Sequence, residues 1–308
     1  MTGKRSHTTP RGATPTRTFA LVLALTGAFT VVELVGGLLA GSLALMADAG
    51  HMLSDAFALA LALFASWLAK RPATPEKTFG YKRAEILAAL ANGVTLVAIA
   101  IWIFVEAYHR FRDPPDVLGG WVLAIASAGA AVNLAGGFLL GRSREGNLNA
   151  EAAYRHVLAD LGGSLGVVVA ALVILATGWV YADPLVSVVI GVLILVSSWT
   201  VLRDSLRILL EATPAGIDAR EVAERIRRRP GVVDVHDLHI WTITSGFPAL
   251  SAHVLVREHA DCHLHRREIE ELLATEFGIE HTTLQVDHEA PRNVRWVDRF
   301  PGRRVTQA

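Results

Sequence analysis

Residues 42–68 read SLALMADAGHMLSDAFALALALFASWL. The run is long enough to cross a bilayer, which takes about 20 residues in a helix. Yet Asp48, His51 and Asp55 sit within it. Residues 156–182, HVLADLGGSLGVVVAALVILATGWVYA, repeat the arrangement with His156 and Asp160. Ionisable groups in hydrocarbon are costly and mark ion or proton paths. A spacing of four residues is a little over one helical turn, so each His/Asp pair projects from one helix face. Two imidazoles and two carboxylates on facing helices make an N2O2 ligand set, which suits tetrahedral zinc.

Around these two runs the chain offers six apolar segments of spanning length: 19–41, 42–68, 84–105, 117–141, 157–182 and 184–202. The last is expected to continue as a helix toward Leu210. Backbone polar groups in lipid must be satisfied internally, so these segments are helices, and their length excludes a barrel. Lys and Arg then set the orientation. Lys4, Arg5, Arg11 and Arg17 precede the first span, Lys70, Arg71, Lys77, Lys82 and Arg83 follow the second, and Arg142, Arg144 and Arg155 follow the fourth. Arg203 and Arg207 end the sixth. The opposite side has only Arg110 and Arg112, offset by Asp113 and Asp116. Both termini are therefore expected in the cytoplasm, with residues 1–18 a polar tail and 19–210 the membrane domain of an inner (cell) membrane protein.

From Glu211 the composition becomes that of a soluble domain. Asp218 opens a helix that Pro230-Gly231 closes. Residues 232–244 and 247–256 alternate and are β-rich, with Ser245-Gly246 as the hairpin turn. An amphipathic helix follows over 264–277, stopped by Gly278, then a last strand over 282–286. The order αββαβ within residues 211–290 gives a small two-layer α+β domain. Residues 291–308, rich in Arg and without an apolar run, read as a disordered tail.

Apolar residues make up 52% of the 308 and charged residues 19%, with a net formal charge of zero, so no nucleic-acid partner is indicated. The single cysteine, Cys262, excludes an intramolecular disulfide framework. Asp48, three residues before His51, lies on the same face; it is either a third carboxylate on the ion path or a brace for the nearby turn. Glu33, in the middle of the first span, faces the same choice. Asn92 and Asn133 are expected to hydrogen-bond between helices, and Gly162, Gly163 and Gly166 to let a partner helix approach. The soluble domain holds most of the histidines, including His236, His239, His253, His263, His265, His281 and His288, with Cys262 and Asp287. His236 and His239 are an odd number apart and so are expected on opposite sides of their strand.

The stretches 42–55, 79–87 (FGYKRAEIL), 147–160 and 236–241 (HDLHIW) resemble signatures of the cation diffusion facilitators, closest to the bacterial zinc/cadmium/cobalt efflux branch. The resemblance covers 19–287. It implies a homodimeric metal/proton antiporter in the lipid bilayer, with six spans and a metallochaperone-like (ferredoxin-like) cytoplasmic domain. His51, Asp55, His156 and Asp160 would form the transport site. His236, His253 and Asp287 would fall on a regulatory metal site between protomers, with His239, His265 and His288 as substitutes. Arg83 and Glu211 would interlock the protomers at the membrane surface. Lys77 and Tyr81 stand where relatives with a loop metal site carry histidines, so that site is expected to be absent. Zn2+ is the expected ion, both as cargo and as regulator, and no organic cofactor is implied.

The site chemistry supplies the coupling independently: a ligating imidazole must be neutral, so protons and metal compete for it. A membrane metalloenzyme is disfavoured, because no His-Glu-x-x-His stretch is present and four ligands leave no open position. A membrane-anchored metal sensor and a slow metal channel without proton coupling remain the alternatives.

Overall fold

The computed structural model describes residues 16–141 and 148–289, and the expectations for the two chain ends fall largely outside them. The chain divides into two units, 1–205 and 206–308.

Six helices make up the first unit: α1 (Thr16–Ala40), α2 (Leu43–Ala69), α3 (Ala84–Arg112), α4 (Gly119–Gly141), α5 (Leu148–Thr177) and α6 (Ala182–Leu209). All are long and apolar enough to cross a membrane. Helix α3 runs seven residues past the expected end, because nothing before Asp113-Pro114 stops it. Helix α5 starts at Leu148, ahead of the apolar run, because polar residues such as Glu151 and Arg155 still pair at i,i+4. It ends where Gly178 takes a left-handed φ of 70°.

The bundle packs on small residues. Ala44, Ala47, Ala100, Ala126 and Ala171 are fully buried in one cluster, so neighbouring backbones approach closely, as helices in lipid do. The large apolar side chains point the other way. Leu39, Leu63, Trp121, Phe138, Val196 and Trp199 are exposed, which suits a lipid-facing surface and no aqueous one.

In the second unit, α7 (Ala219–Arg227) is capped by Asp218, and α8 (Cys262–Phe277) by Asp261, whose carboxylate accepts from the His263 and Leu264 N–H groups. Strand β1 (Val232–Thr244) pairs antiparallel with β2 (Phe247–Val256), and β2 pairs parallel with β3 (His281–His288). The strand order is β1-β2-β3. Val222, Ile226, Ile269 and Leu273 from the helices bury Leu250, Ala252 and Val254 of β2. Even-numbered β2 residues thus face the helices, and His253, Ser251 and Leu255 lie on the uncovered face.

Candidate metal centre

The α1–α2 corner fixes the direction in which α2 carries His51 and Asp55. Gly41 adopts φ 68°, and the Ser42 side chain then caps α2 by accepting from the Leu45 N–H at 3.2 Å. From that start, His51 and Asp55 fall on one face, with Nε2 and Oδ2 3.5 Å apart. On α5 the corresponding His156–Asp160 separation is 3.7 Å. The pairs meet across the helices. His156 Nε2 lies 3.6 Å from Asp55 Oδ2, and the two imidazole rings are 6.5 Å apart at 63°.

One ligand atom each from His51, Asp55 and Asp160 lies within 4.8 Å of the others. His156 touches this group through both carboxylates but remains half exposed. Asp160 is buried, at 5% exposure. His51 Nδ1, Asp55 Oδ2 and Asp160 Oδ1 are buried without a hydrogen-bond partner among the described residues. Buried polar atoms are nearly always satisfied. Three orphaned atoms on adjoining side chains therefore favour a cation as the missing partner.

The other intramembrane polar residues bond between helices. Ser54 reaches Asn92 at 3.4 Å, an interhelical bond of the expected kind. Asp48 is buried and accepts from the Ser164 hydroxyl at 3.1 Å, and Asn133 donates to the same oxygen at 3.3 Å. The expectation for three glycines on α5 needs correction. A Cβ at Gly163 would come within 2.6 Å of Asp48 Oδ1, whereas at Gly166 it would make ordinary contact and at Gly162 none. Only Gly163 is needed for close approach.

Sequence reading passed over Asp183. Its carboxylate accepts from the Ser42 hydroxyl and from the Leu43 and Ala44 N–H groups, which ties α6 to the start of α2. An acidic residue immediately before the proline of a helix start was the available signal.

In the second unit the expected separation of His236 and His239 does not hold. His236 pairs with His253, but His239 pairs with Ser251, so the ladder gains a residue between them. Asp237 takes up the bulge with φ 52°. His253 and Ser251 share a face, so His236 and His239 share it too. The His236 and His253 rings are 5.4 Å apart. Asp287 lies opposite Leu255 on the same open face. His265 and His288 are elsewhere: His265 is turned against Gly231 and paired with Glu268, and His288 bonds to the Ala260 carbonyl at 2.8 Å. Cys262 and His263 belong to the first turn of α8.

At the membrane-domain start of α3, Arg83 is the residue before the first helical turn. Lys77 Nζ sits 4.0 Å over the Tyr81 ring and 2.9 Å from its hydroxyl.

Two sequence profiles match: the cation efflux transmembrane domain over residues 19–210 and the cation efflux protein cytoplasmic domain over 214–289. The chain belongs to the cation efflux family. As a member of that family it is an integral membrane transporter and not an enzyme. It is similar to the cadmium, cobalt and zinc/H(+)-K(+) antiporter of Bacillus velezensis, 43% identical over 267 residues, 85% of each chain. It is 41% identical over 288 residues to the metal cation efflux system protein CzcD of Cupriavidus metallidurans, covering 93% of this chain and 90% of that one. It is 44% identical over 267 residues to the zinc transporter ZitB of Escherichia coli, covering 86% and 85%. Each of these alignments is longer than either matched domain alone.

Proposed function

We propose that this cation efflux protein exports a divalent transition metal, zinc foremost, from the cytoplasm in exchange for protons, through a site formed by His51, Asp55, His156 and Asp160. The convergence of unsatisfied buried ligand atoms from α2 and α5 carries this reading. Two imidazoles and two carboxylates favour zinc, cadmium or cobalt over magnesium and calcium, the metals named for the Bacillus relative. Because the imidazoles must be neutral to bind, a site open to the more acidic side protonates and releases metal, and reloads when it faces the cytoplasm. Alternating exposure of a site inside the bundle completes the cycle.

The Lys and Arg distribution supports cytoplasmic N- and C-termini in a bacterial inner membrane. The cytoplasmic-domain match supports a homodimer. In that dimer His236, His253 and Asp287 form a regulatory metal site on the open sheet face, and Arg83 and Glu211 interlock the protomers.

The test is zinc uptake by the full-length protein in proteoliposomes, with and without a pH gradient, across a panel of divalent ions. Wild-type protein should accumulate zinc faster with the gradient, and Asp160→Ala should abolish flux while still inserting. Normal flux from that variant would remove the tetrad as the transport site. Flux indifferent to pH would instead favour a slow channel.

A further inference from the structure

Beside the tetrad, a second buried polar group is built entirely from oxygen donors and one amide. Glu33 of α1 is fully buried, and neither carboxylate oxygen has a hydrogen-bond partner among the described residues. Asn133 of α4, 2% exposed, also leaves its Oδ1 unpartnered. Asn133 donates to Ser164 of α5, which donates to Asp48 of α2. Glu33 lies within electrostatic reach of both Asp48 and Asp160. Among the described residues, no Lys or Arg acts on either carboxylate.

Two glycines make the room. A Cβ at Gly129 would collide with Glu33 Oε1, as one at Gly163 would with Asp48. Two carboxylates thus occupy cradles cut for them in α4 and α5, in a low-dielectric interior where an uncompensated charge is costly.

We propose that Glu33, Asp48, Asn133 and Ser164 form a second cation site, for the hard monovalent counter-ion, a proton or an alkali cation, that exchanges against the metal. The proposal rests on the tetrad being the transport site. Oxygen-only donors lack the imidazole or thiolate that selects a transition metal. Because Glu33 acts on Asp160 through a low dielectric, a cation held here repels metal from the tetrad. That antagonism is reciprocal, as linkage requires, and mutual exclusion of two cations is what an exchanger needs. The charged group acting on both carboxylates is Asp160 of α5; along α2, His51 lies one turn beyond Asp48 and Asp55 two.

The experiment measures zinc affinity of the purified full-length protein by calorimetry. One arm replaces choline with potassium at constant ionic strength and pH; the other varies pH between about 6 and 8 without potassium. Glu33→Gln and Asp48→Asn keep shape and remove charge. If the counter-ion is alkali, potassium weakens wild-type zinc binding by roughly fivefold or more, and both variants lose the effect. If it is a proton, wild type releases about one more proton per zinc than either variant, while the tetrad's own proton release persists in all three. Variants that match wild type in both arms overturn the proposal, and so does loss of zinc binding in both variants when they remain folded by thermal unfolding. Zinc binding that survives Asp160→Ala, with the His236 and His253 ligands also removed, would sink the transport-site reading instead.

Discussion

Asp183 on α6 accepts a hydrogen bond from the Ser42 hydroxyl at 2.5 Å and so caps, from another helix, the end of α2 that leads to His51 and Asp55. Arg110 of α3 completes the corner, 3.6 Å from the same carboxylate and bonded to the Gly41 carbonyl. Three helices are thereby pinned where α2 begins.

Loss of this corner should be felt as instability. Ser42→Ala should cost about 1 kcal/mol, the ordinary value of an N-cap. Asp183→Ala should cost about 3 kcal/mol, because it strands buried donors and weakens the pairing of Arg110. His51 lies nine residues along α2 from Ser42, about 13 Å at the rise of a helix, so the zinc affinity of the folded fraction should stay within roughly twofold. Thermal unfolding in detergent with parallel zinc calorimetry checks both; a large affinity loss at full stability would make Asp183 part of the ion path.

How far the sequence could be read depended on whether a feature lived in side-chain pattern or in backbone. The spans and both hairpin strands were legible, since hydropathy and alternation are patterns, and Ser245-Gly246 supplies the turn, with Gly246 at φ 72°. The pairing of His51 with Asp55 and of His156 with Asp160 was legible from spacing alone. The start of α5 was not, because a polar helix outside the apolar run carries no hydropathy signal. The shared face of His236 and His239 was hidden for a different reason: one residue with φ 52° inverts the parity of everything after it. Asp183 was missed because it sits between segments rather than inside one.

Metal choice should follow the donor set. His51→Asp converts the N2O2 set to NO3, which is harder. Zinc transport should fall, and activity toward manganese should rise relative to zinc, in the same proteoliposome assay run ion by ion. An unaltered metal profile would show that His51 is not a ligand.

Glu211 offers a separation of protomer stability from dimer coupling. It takes φ 56° just beyond α6, with the Ala212 N–H returning to the Arg207 carbonyl at 2.9 Å, a position glycine usually fills. Glu211→Gly should therefore stabilise the protomer by about 1 kcal/mol. If Glu211 pairs with Arg83 between protomers, the same change should weaken the dimer, as should Glu211→Arg. The Arg83→Glu/Glu211→Arg double variant should recover part of the loss. Dimer dissociation followed by light scattering in detergent reads the coupling, and no recovery in the double variant counts against a direct pair.

The open sheet face makes the last prediction. His236, His253 and, because of the Asp237 bulge, His239 lie on it together, with Asp287 two positions along the parallel neighbour from the register of His253. In a full-length protein carrying Asp160→Ala, zinc should no longer be held by the membrane site, so any remaining stabilisation reports this face. Zinc at a hundredfold excess over its Kd should add about 2.7 kcal/mol of stability. His236→Ala/His253→Ala should remove the gain entirely. His239→Ala tests the bulge: three imidazoles on one face predict a weakened response, whereas His239 on the opposite face would leave it untouched. Protons compete with zinc here, since each ligating imidazole must be free of its proton to bind. A melting temperature that ignores zinc at neutral pH would leave the face a dimer surface without a metal.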